Sequence, residues 1–288
     1  MQTFNLSGIW QMRDSQGVSC PARIPGSAYG ALLEAGLMED PYYRDNELKA
    51  LKLMERDYSF ERSFTPAEAL LGCRQLLLRC EGLDTLCTLT LNGQVVGRAD
   101  NMFRTWEFDV TGVLKPGENT LRVDCASPNQ FIRKAYEEAP VLGSRQAMRG
   151  FPRIRKAHCM FGWDWGPRLP DVGIWRDILL VGVDSSRLED LYIEQRHEDG
   201  EVYVTVHVRQ SGNAEVRITL TDPDGAAVTL TNHEETRVEA PRLWWPNGFG
   251  EHPLYGVSAE LLENGRTVDS QTRRIGLRTM TVVREKDR

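Results

Sequence analysis

The segment FGWDWGPRLPDVGIW, residues 161–175, combines residue types that contact sugars. An indole ring is a flat apolar plate that packs on the C–H face of a pyranose, and a carboxylate accepts hydrogen bonds from hydroxyl groups. Trp163 and Asp164 place these two groups side by side. Small and rigid residues shape a turn around them: Gly162, Gly166 and Pro167. The segment therefore fits one wall of a sugar pocket, where a charge-assisted hydrogen bond contributes about 1.5 to 3 kcal/mol.

The same residues also fit a structural interpretation. Tryptophans in a loop often anchor it to the hydrophobic core, and an aspartate often caps a turn by accepting backbone hydrogen bonds. From the residues alone, both interpretations of Trp163 and Asp164 stay open. We expect Trp165 to pack inward, and Arg168 to pair with Asp164 or Asp171 and hold the shape of the loop.

Most of the chain has the alternating apolar and polar pattern of β-strands. Residues 86–99 contain two such runs around Asn92-Gly93, and this dipeptide supplies the two positive φ angles of a type I′ turn. We therefore predict a β-hairpin there. Residues 108–125 and 203–230 repeat the strand–turn–strand pattern.

Helical patterns are short and few. Residues 27–35 predict one helix with Ser27 as its N-cap, and residues 45–57 predict a short amphipathic helix. Many short strands without regularly alternating long helices are typical of β-sandwiches. The predicted fold class is therefore all-β.

A domain boundary is predicted near Asp184-Ser185-Ser186, where one strand ends and a new hairpin begins. We place a larger β-sandwich at residues 1–184 and a smaller one at residues 185–284. The smaller domain has the size of an immunoglobulin-type domain. Residues 285–288 follow as a linker.

Composition argues against several classes of protein. The 288 residues carry a formal net charge of −6 and no long basic run, which disfavours nucleic acid and anionic membranes as partners. No stretch of about 18 apolar residues occurs, so we expect no membrane span. The start MQTFNLSGIW lacks the basic and apolar regions of a signal peptide, which predicts a cytoplasmic protein.

A cytoplasmic location implies reduced cysteines. The chain has six: Cys20, Cys73, Cys80, Cys87, Cys125 and Cys159. They form no CxxC pair, and the even spacing of the second, third and fourth does not indicate a zinc site. The five histidines are equally scattered. We expect no metal and no cofactor.

Four segments together resemble glycoside hydrolase family 2, and within it the β-mannosidase branch. The first is LSGIWQM with IPGSAYGALLEAGLMEDPYYRDNE and RDYSFERSF, and the second is LLLRCEGLDTLCTLTLNGQVVGRADNMFRTWEFDVTGVLKPGENTLRV. The third, RKAHCMFGWDWGPRLPDVGIWRDI at 155–178, is the most specific, since a galactosidase or glucuronidase of the family is not expected to carry the WDWGP loop. The fourth is LWWPNGFGEHPLYGVSAEL at 243–261, which continues to RRIGLRTMTVV.

The resemblance covers residues 1 to about 284 and implies a fold. It implies a jelly-roll, galactose-binding-like sandwich followed by an immunoglobulin-like sandwich. In the family, a (β/α)8 barrel of roughly 250 residues follows and carries both catalytic glutamates. By this resemblance, residues 285–288 lead toward that barrel, and no residue of this chain is assigned a catalytic role.

A catalytic carboxyl pair within the chain itself is not expected. Retaining glycoside hydrolysis needs two carboxyl groups about 5 to 5.5 Å apart. Asp164 and Asp171 are separated by two prolines, and Glu137 and Glu138 would face apart on a strand. We therefore expect this chain alone to be inactive.

The resemblance also implies roles for the loop. In β-mannosidases this loop reaches the mouth of the barrel and helps to close the −1 subsite. By that resemblance, Asp164 holds hydroxyl groups of a terminal mannose and Trp163 forms the pocket wall, so we favour the functional interpretation of both. The loop-shaping residues are then Gly162, Trp165, Gly166, Pro167 and Arg168.

Three further segments have candidate functional residues for which we favour a structural role. In residues 101–106, we expect Phe103 and Trp106 to fill the sandwich core. Residues 244–246, Trp-Trp-Pro, are expected to anchor a domain interface. Residues 153–158, RIRKAH, are basic and are expected to form a solvated or inter-domain salt-bridge face.

The leading functional hypothesis is the non-catalytic N-terminal portion of a retaining exo-β-mannosidase that removes terminal β-D-mannose. Its partners are then mannosides and the catalytic barrel of the same polypeptide. One alternative is a freestanding carbohydrate-binding module, which predicts measurable sugar affinity for this chain alone. The other is a purely structural or oligomerisation sandwich pair, which predicts no effect of Asp164 substitution on activity.

Overall fold

Antiparallel strands form both compact units of the chain. In this computed structural model, which describes residues 2–286, the first unit spans residues 2–183 and the second begins at Asp184. The all-β fold class predicted from the alternating pattern is confirmed, and each unit is a β-sandwich.

Residues 2–183 form a four-stranded and a six-stranded sheet. The strands are β1 (Gln2–Asn5), β2 (Gly8–Asp14), β3 (Ser19–Ile24), β4 (Tyr58–Phe64), β5 (Gln75–Cys80), β6 (Leu83–Asp84), β7 (Cys87–Leu91), β8 (Gln94–Ala99), β9 (Trp106–Asp109), β10 (Asn119–Cys125), β11 (Gly173–Ile174) and β12 (Ile178–Val183). The sheet orders are β1-β12-β5-β9 and β3-β2-β4-β10-β7-β8, and β6 pairs with β11 as a separate ribbon.

The core of this unit lies between the two sheets. Inward side chains from both sheets are buried there, including Trp10 on β2, Phe60 on β4, Leu78 on β5 and Leu89 on β7. Full burial of one such side chain contributes about 1.5 to 3 kcal/mol. The indole Nε1 of Trp10 donates to the carbonyl of Leu6 at 2.8 Å, so its polar atom is satisfied inside the core.

Short helices connect the strands of the first unit. They are α1 (Ala28–Glu34), α2 (Glu47–Leu53), α3 (Glu68–Leu71) and α4 (Pro128–Glu138), with 3-10 turns at Phe151–Arg153 and His158–Met160. The two predicted helices are confirmed as α1 and α2, and Ser27 Oγ accepts from the amide of Gly30 at 3.2 Å as the predicted N-cap. The assumption that Glu137 and Glu138 lie on a strand is wrong, because both belong to α4.

The predicted hairpin at residues 86–99 is confirmed as β7 and β8. Asn92 and Gly93 have φ angles of 52° and 83°, as a type I′ turn requires. In contrast, β9 and β10 within residues 108–125 do not pair with each other: β9 pairs with β5, and β10 pairs with β4 and β7. The connection between them crosses from one sheet to the other.

The second unit is a smaller sandwich. Its strands are β13 (Arg187–Glu198), β14 (Glu201–Ser211), β15 (Glu215–Thr221), β16 (Ala227–Leu230), β17 (Glu235–Arg237), β18 (Tyr255–Glu263) and β19 (Arg266–Ile275). One sheet has the order β13-β14-β17 and the other the order β16-β15-β18-β19. Alternating valines of β14, including Val204 and Val206, face Val257 and Leu261 of β18 in its core.

Within residues 2–286, no helix is both long and apolar enough to cross a bilayer. The cytoplasmic location stays a prediction. Of the six cysteines, Cys159 is exposed and the others are buried, and all are free thiols. Cys87 and Cys125 face each other with their Sγ atoms 3.2 Å apart. The hydrogen bond between them and burial raise the pKa of the Cys125 thiol.

Candidate functional site

The WDW loop, residues 161–171, forms a small hairpin with the carboxylate at its tip. Trp163 and Gly166 bond each other through both backbone pairs, at 3.0 and 3.4 Å, so Asp164 and Trp165 occupy the turn. A bridge between Phe161 and Arg168 closes the hairpin at its base. The loop is therefore a short, internally bonded element.

The tip of the loop faces solvent. Trp163 is 46% exposed and Trp165 is 84% exposed, and Asp164 between them is also exposed. The prediction that Trp165 packs inward is wrong. The Asp164 carboxylate makes no hydrogen bond or ion pair with any residue in the described part of the chain. It does not cap the turn, so the structural interpretation of Asp164 has no contact to support it.

The base of the loop is anchored in a small apolar cluster. Phe161 is fully buried against Ile132 of α4 and Ile154. Its carbonyl accepts from the amide of Met148 at 3.0 Å, and the amide of Leu169 donates to the carbonyl of Met160 at 2.8 Å. Hydrophobic anchoring of this segment therefore comes from Phe161, and the two tip tryptophans remain available for a ligand.

Arg168 ties the loop to α2. Its Nε and its backbone amide both donate to Glu47 Oε1, at 2.5 and 3.2 Å. The predicted pairing of Arg168 with Asp164 or Asp171 is wrong, because Glu47 in the first turn of α2 takes that position. A bond between elements 121 residues apart in sequence fixes the loop's position on the sandwich.

A buried ion pair lies beneath the C-terminal end of the loop. Lys156 Nζ bonds Asp84 Oδ2 and also donates to the carbonyl of Asp171 at 2.7 Å. The Lys156 side chain is 0% exposed and that of Asp84 is 5% exposed. The prediction that residues 153–158 form a solvated or inter-domain face is therefore wrong for Lys156, whose charge is neutralised inside the first unit.

The Asp171 carboxylate serves the scaffold. It accepts from the amides of Tyr29 at 3.0 Å and Val172 at 2.8 Å, and so joins the end of the loop to α1. Burial raises the pKa of Asp171 to about 6, against the opposing effect of these hydrogen bonds and of Lys156. Asp171 is thus bonded to the scaffold at the C-terminal end of the loop, whereas Asp164 lies at its tip. The two do not form a carboxyl pair.

Other exposed aromatic residues of the first unit were not predicted. Phe103 is 64% exposed, so the prediction that it fills the core is wrong, whereas Trp106 is partly buried and packs against the core. The Asn101 side chain accepts from the amide of Phe103 at 2.9 Å, and this Asx turn lifts the ring outward. Tyr42 and Tyr43, just before α2, are 76% and 58% exposed. Asn101 could have indicated the exposure of Phe103 from the sequence, because an asparagine side chain often accepts from the backbone amide two residues further on.

In the second unit, the two adjacent tryptophans differ in exposure. The Trp244 ring lies 5.5 Å from His252 in an edge-on contact and 4.9 Å from the Arg278 guanidinium. Trp245 is 48% exposed. The domain-interface role of residues 244–246 stays a prediction. Within residues 2–286, no group of three or more His, Cys, Asp or Glu side chains is arranged to hold a metal ion.

Gly162 is the residue on which the hairpin shape depends most. Its φ angle is +84°, and a Cβ atom there would lie 2.4 Å from Arg168 Cγ. We expect Gly162→Ala to cost about 1 to 2 kcal/mol for the left-handed backbone alone, and to displace Arg168 from Glu47. Thermal unfolding of the chain measures the loss, and tryptophan fluorescence reports the displaced tip.

Gly166→Ala is the matched control for that substitution. Its added Cβ meets nothing closer than 3.9 Å, and its φ angle is ordinary. We expect it to leave stability and fluorescence unchanged. Equal effects of the two substitutions would contradict the special role of Gly162.

The two units together define a class: a galactose-binding-like β-sandwich followed by an immunoglobulin-like β-sandwich. The family profile described as glycosyl hydrolase 2 galactose-binding domain-like matches residues 10–176, and the profile of glycosyl hydrolases family 2 matches residues 186–278. This chain belongs to glycosyl hydrolase family 2.

Relatives of this chain include proteins named β-mannosidase. The chain is 32% identical to β-mannosidase B of Neosartorya fischeri over 315 residues, which is 100% of this chain and 36% of that protein. It is 27% identical to the β-mannosidase of Mus musculus, over 98% of this chain and 35% of that protein. It therefore spans about a third of the length of these curated relatives.

Solved structures agree on the fold. The crystal structure of a β-D-mannosidase from Dictyoglomus thermophilum matches 96% of this chain with a TM-score of 0.86 and 28% identity, and the match covers 36% of that chain. A β-glucuronidase of Bifidobacterium dentium matches 98% of this chain with a TM-score of 0.68 and 23% identity, and the match covers 48% of that chain. The likeness to the glucuronidase shows a shared fold alone.

Proposed function

We propose that this chain is the non-catalytic N-terminal portion of a β-mannosidase-type retaining exo-glycosidase. The relatives named β-mannosidase match it over nearly its whole length, and their own chains are almost three times as long. In this proposal the catalytic acid/base and nucleophile come from a (β/α)8 barrel of the same polypeptide. The substrates are mannosides with a terminal β-D-mannose.

One observation carries the role of the WDW loop. Asp164 is an exposed carboxylate without any partner in the described residues, and it stands between two exposed indoles. Exposed tryptophans are the side chains that gain most from a covering ligand, and an unpaired carboxylate is ready to accept hydroxyl hydrogen bonds. In this proposal Asp164 binds hydroxyl groups of the −1 mannose and Trp163 packs beside the ring. Trp165 extends the uncovered aromatic surface.

The contacts at the base of the loop suit that role. A group that stabilises a transition state must be held in position before the substrate arrives. Backbone hydrogen bonds within the loop hold its hairpin shape, and the bond from Arg168 to Glu47 holds it against α2. The bond from Lys156 to the Asp171 carbonyl holds its C-terminal end. These bonds set the position of the loop on the sandwich and leave the side chains at its tip uncovered, so they can contact a ligand.

Hydrolysis of three aryl glycosides tests the proposal. The β-mannoside, β-galactoside and β-glucuronide are offered to this chain and to the full-length protein that joins it to the barrel. We expect the full-length protein to cleave the mannoside and this chain to cleave none, because in this proposal the two carboxyl groups that the reaction needs belong to the barrel. A preference of the full-length protein for another sugar would contradict the substrate class, and hydrolysis by this chain would contradict its non-catalytic role.

Calorimetry with mannose distinguishes this proposal from the alternative of a freestanding carbohydrate-binding module. A half-pocket that lacks its barrel wall should bind the monosaccharide more weakly than about 1 mM. Tighter binding by this chain alone would favour the binding module.

A further inference from the structure

The second unit carries a histidine cluster on the solvent side of its three-stranded sheet. His207 lies on β14 between the buried Val206 and Val208, so its side chain is on the opposite face. Its Nδ1 is 3.0 Å from Nδ1 of His233, which precedes β17, and its Nε2 is 3.3 Å from Oε2 of Glu194 on β13. Three segments of the chain thus meet at one imidazole.

The arrangement determines which nitrogen of His207 carries the proton. The Glu194 carboxylate accepts only, so Nε2 of His207 is the protonated nitrogen that donates to it. Nδ1 of His207 is then an unprotonated lone pair directed at His233. A carboxylate that fixes the tautomer of an imidazole in this way is the usual outer partner of a metal-ligating histidine.

The backbone holds His233 in place. His233 adopts a left-handed φ of 66°, and its amide donates to the carbonyl of Val206 at 2.9 Å. The side chain of the preceding Asn232 accepts from the amide of Val208 at 2.8 Å. The Tyr192 ring packs against the far side of His207, with centroids 5.8 Å apart. Both imidazoles are therefore positioned before any ligand binds.

We propose that His207 and His233 bind a late first-row divalent metal ion through their Nδ1 atoms, with Glu194 orienting His207. Metal–imidazole bonds of about 2.0 to 2.1 Å place two nitrogens about 2.9 Å apart at a right angle and about 3.3 Å apart in a tetrahedron. The observed 3.0 Å is the hydrogen-bond distance of the metal-free pair and lies close to both values, so the rings need to turn, and not to separate, for their lone pairs to converge on a metal. Imidazole is a ligand for Ni²⁺, Cu²⁺ and Zn²⁺, and its affinity is highest for Cu²⁺.

Binding requires one proton to move. In the metal-free pair, Nδ1–H of His233 donates to Nδ1 of His207. For both lone pairs to face the metal, His233 takes up a proton on Nε2 from water and releases the one on Nδ1, so no net proton is exchanged. His233 is exposed, which gives its Nε2 access to water. Water also completes the coordination, since within residues 2–286 no third His, Cys, Asp or Glu ligand is in place.

The test is metal binding by this chain without a histidine tag. A Cys159→Ser background removes the exposed thiol, which would otherwise bind or reduce Cu²⁺. Calorimetry with Ni²⁺ is expected to give one site per chain, and electron paramagnetic resonance with one equivalent of Cu²⁺ is expected to show two equatorial imidazole nitrogens. No saturable Ni²⁺ binding, or a Cu²⁺ spectrum without these nitrogens, would overturn the proposal without any further variant.

Substitutions locate the site. His207→Ala and His233→Ala should each weaken Ni²⁺ binding by at least about tenfold, and Glu194→Gln should weaken it by about tenfold as the loss of an outer partner. His197→Ala is the matched control, because this histidine lies on the neighbouring strand and bonds Gln195 instead. Unchanged affinity in both ligand variants, or an equal loss in the control, would place the metal elsewhere. The result does not depend on the proposed glycosidase function.

Discussion

Asp164→Ala is expected to lower kcat/KM for an aryl β-mannoside by about tenfold to a hundredfold in the full-length protein, since a charge-assisted hydrogen bond to a hydroxyl contributes about 1.5 to 3 kcal/mol. In this chain Asp164 is exposed and bonds no described residue. Its removal therefore breaks no internal contact, and the loss of activity is expected without a loss of stability. Initial rates with the aryl mannoside, beside the melting temperature, measure both.

Two variants make that result specific. Asp164→Asn keeps an acceptor but removes the charge, so its activity should lie between the wild type and Asp164→Ala. Asp190→Ala removes another exposed carboxylate that bonds no described residue, on β13 of the second unit, and should leave activity unchanged. Wild-type activity of Asp164→Ala would contradict the proposed contact with the sugar and would favour a purely structural pair of sandwiches.

Elements could be predicted correctly from the sequence where the local residue pattern and the tertiary environment favour the same conformation. The Asn92-Gly93 turn and the Ser27 cap are both local, because a few neighbouring residues determine their conformation. The sheet in which each strand lies was not predicted, because strand pairing depends on contacts between distant segments. The helix α4 was missed although Ser127-Pro128 is a cap followed by a proline at the first helical position.

The residues of the loop were predicted, but their partners were not. A loop rich in tryptophan and glycine is recognisable from its composition, whereas its bonds reach across the unit. Glu47 lies 121 residues from Arg168, and Asp84 lies 72 residues from Lys156. No local pattern connects such pairs. The inward prediction for Trp165 failed because Phe161 already fills the apolar cluster at the loop base.

Lys156→Met is expected to destabilise the first unit by about 3 to 5 kcal/mol, because it leaves the buried carboxylate of Asp84 without its counter-charge. The substitution also removes the donor to the Asp171 carbonyl, at the C-terminal end of the WDW loop. Urea unfolding followed by circular dichroism and tryptophan fluorescence measures the change. Lys134→Met is the matched control, because that side chain is 79% exposed and, among residues 2–286, pairs only with Glu138 on the same helix. An exposed pair of this kind contributes about 0.3 to 0.5 kcal/mol.

A double-mutant cycle separates the ion pair from packing. Asp84→Asn alone should be about as damaging as Lys156→Met, since it leaves the ammonium of Lys156 buried without a carboxylate. The double variant lacks both charges of the Lys156–Asp84 pair, and the asparagine still accepts from the Thr85 hydroxyl, which bonds Asp84 in the unsubstituted protein. Its destabilisation should therefore be smaller than the sum of the single losses by about 1 to 3 kcal/mol. Additive losses would mean that Lys156 stabilises the unit through its packing and its bond to the Asp171 carbonyl. The C-terminal end of the WDW loop would then not depend on the charge of Asp84.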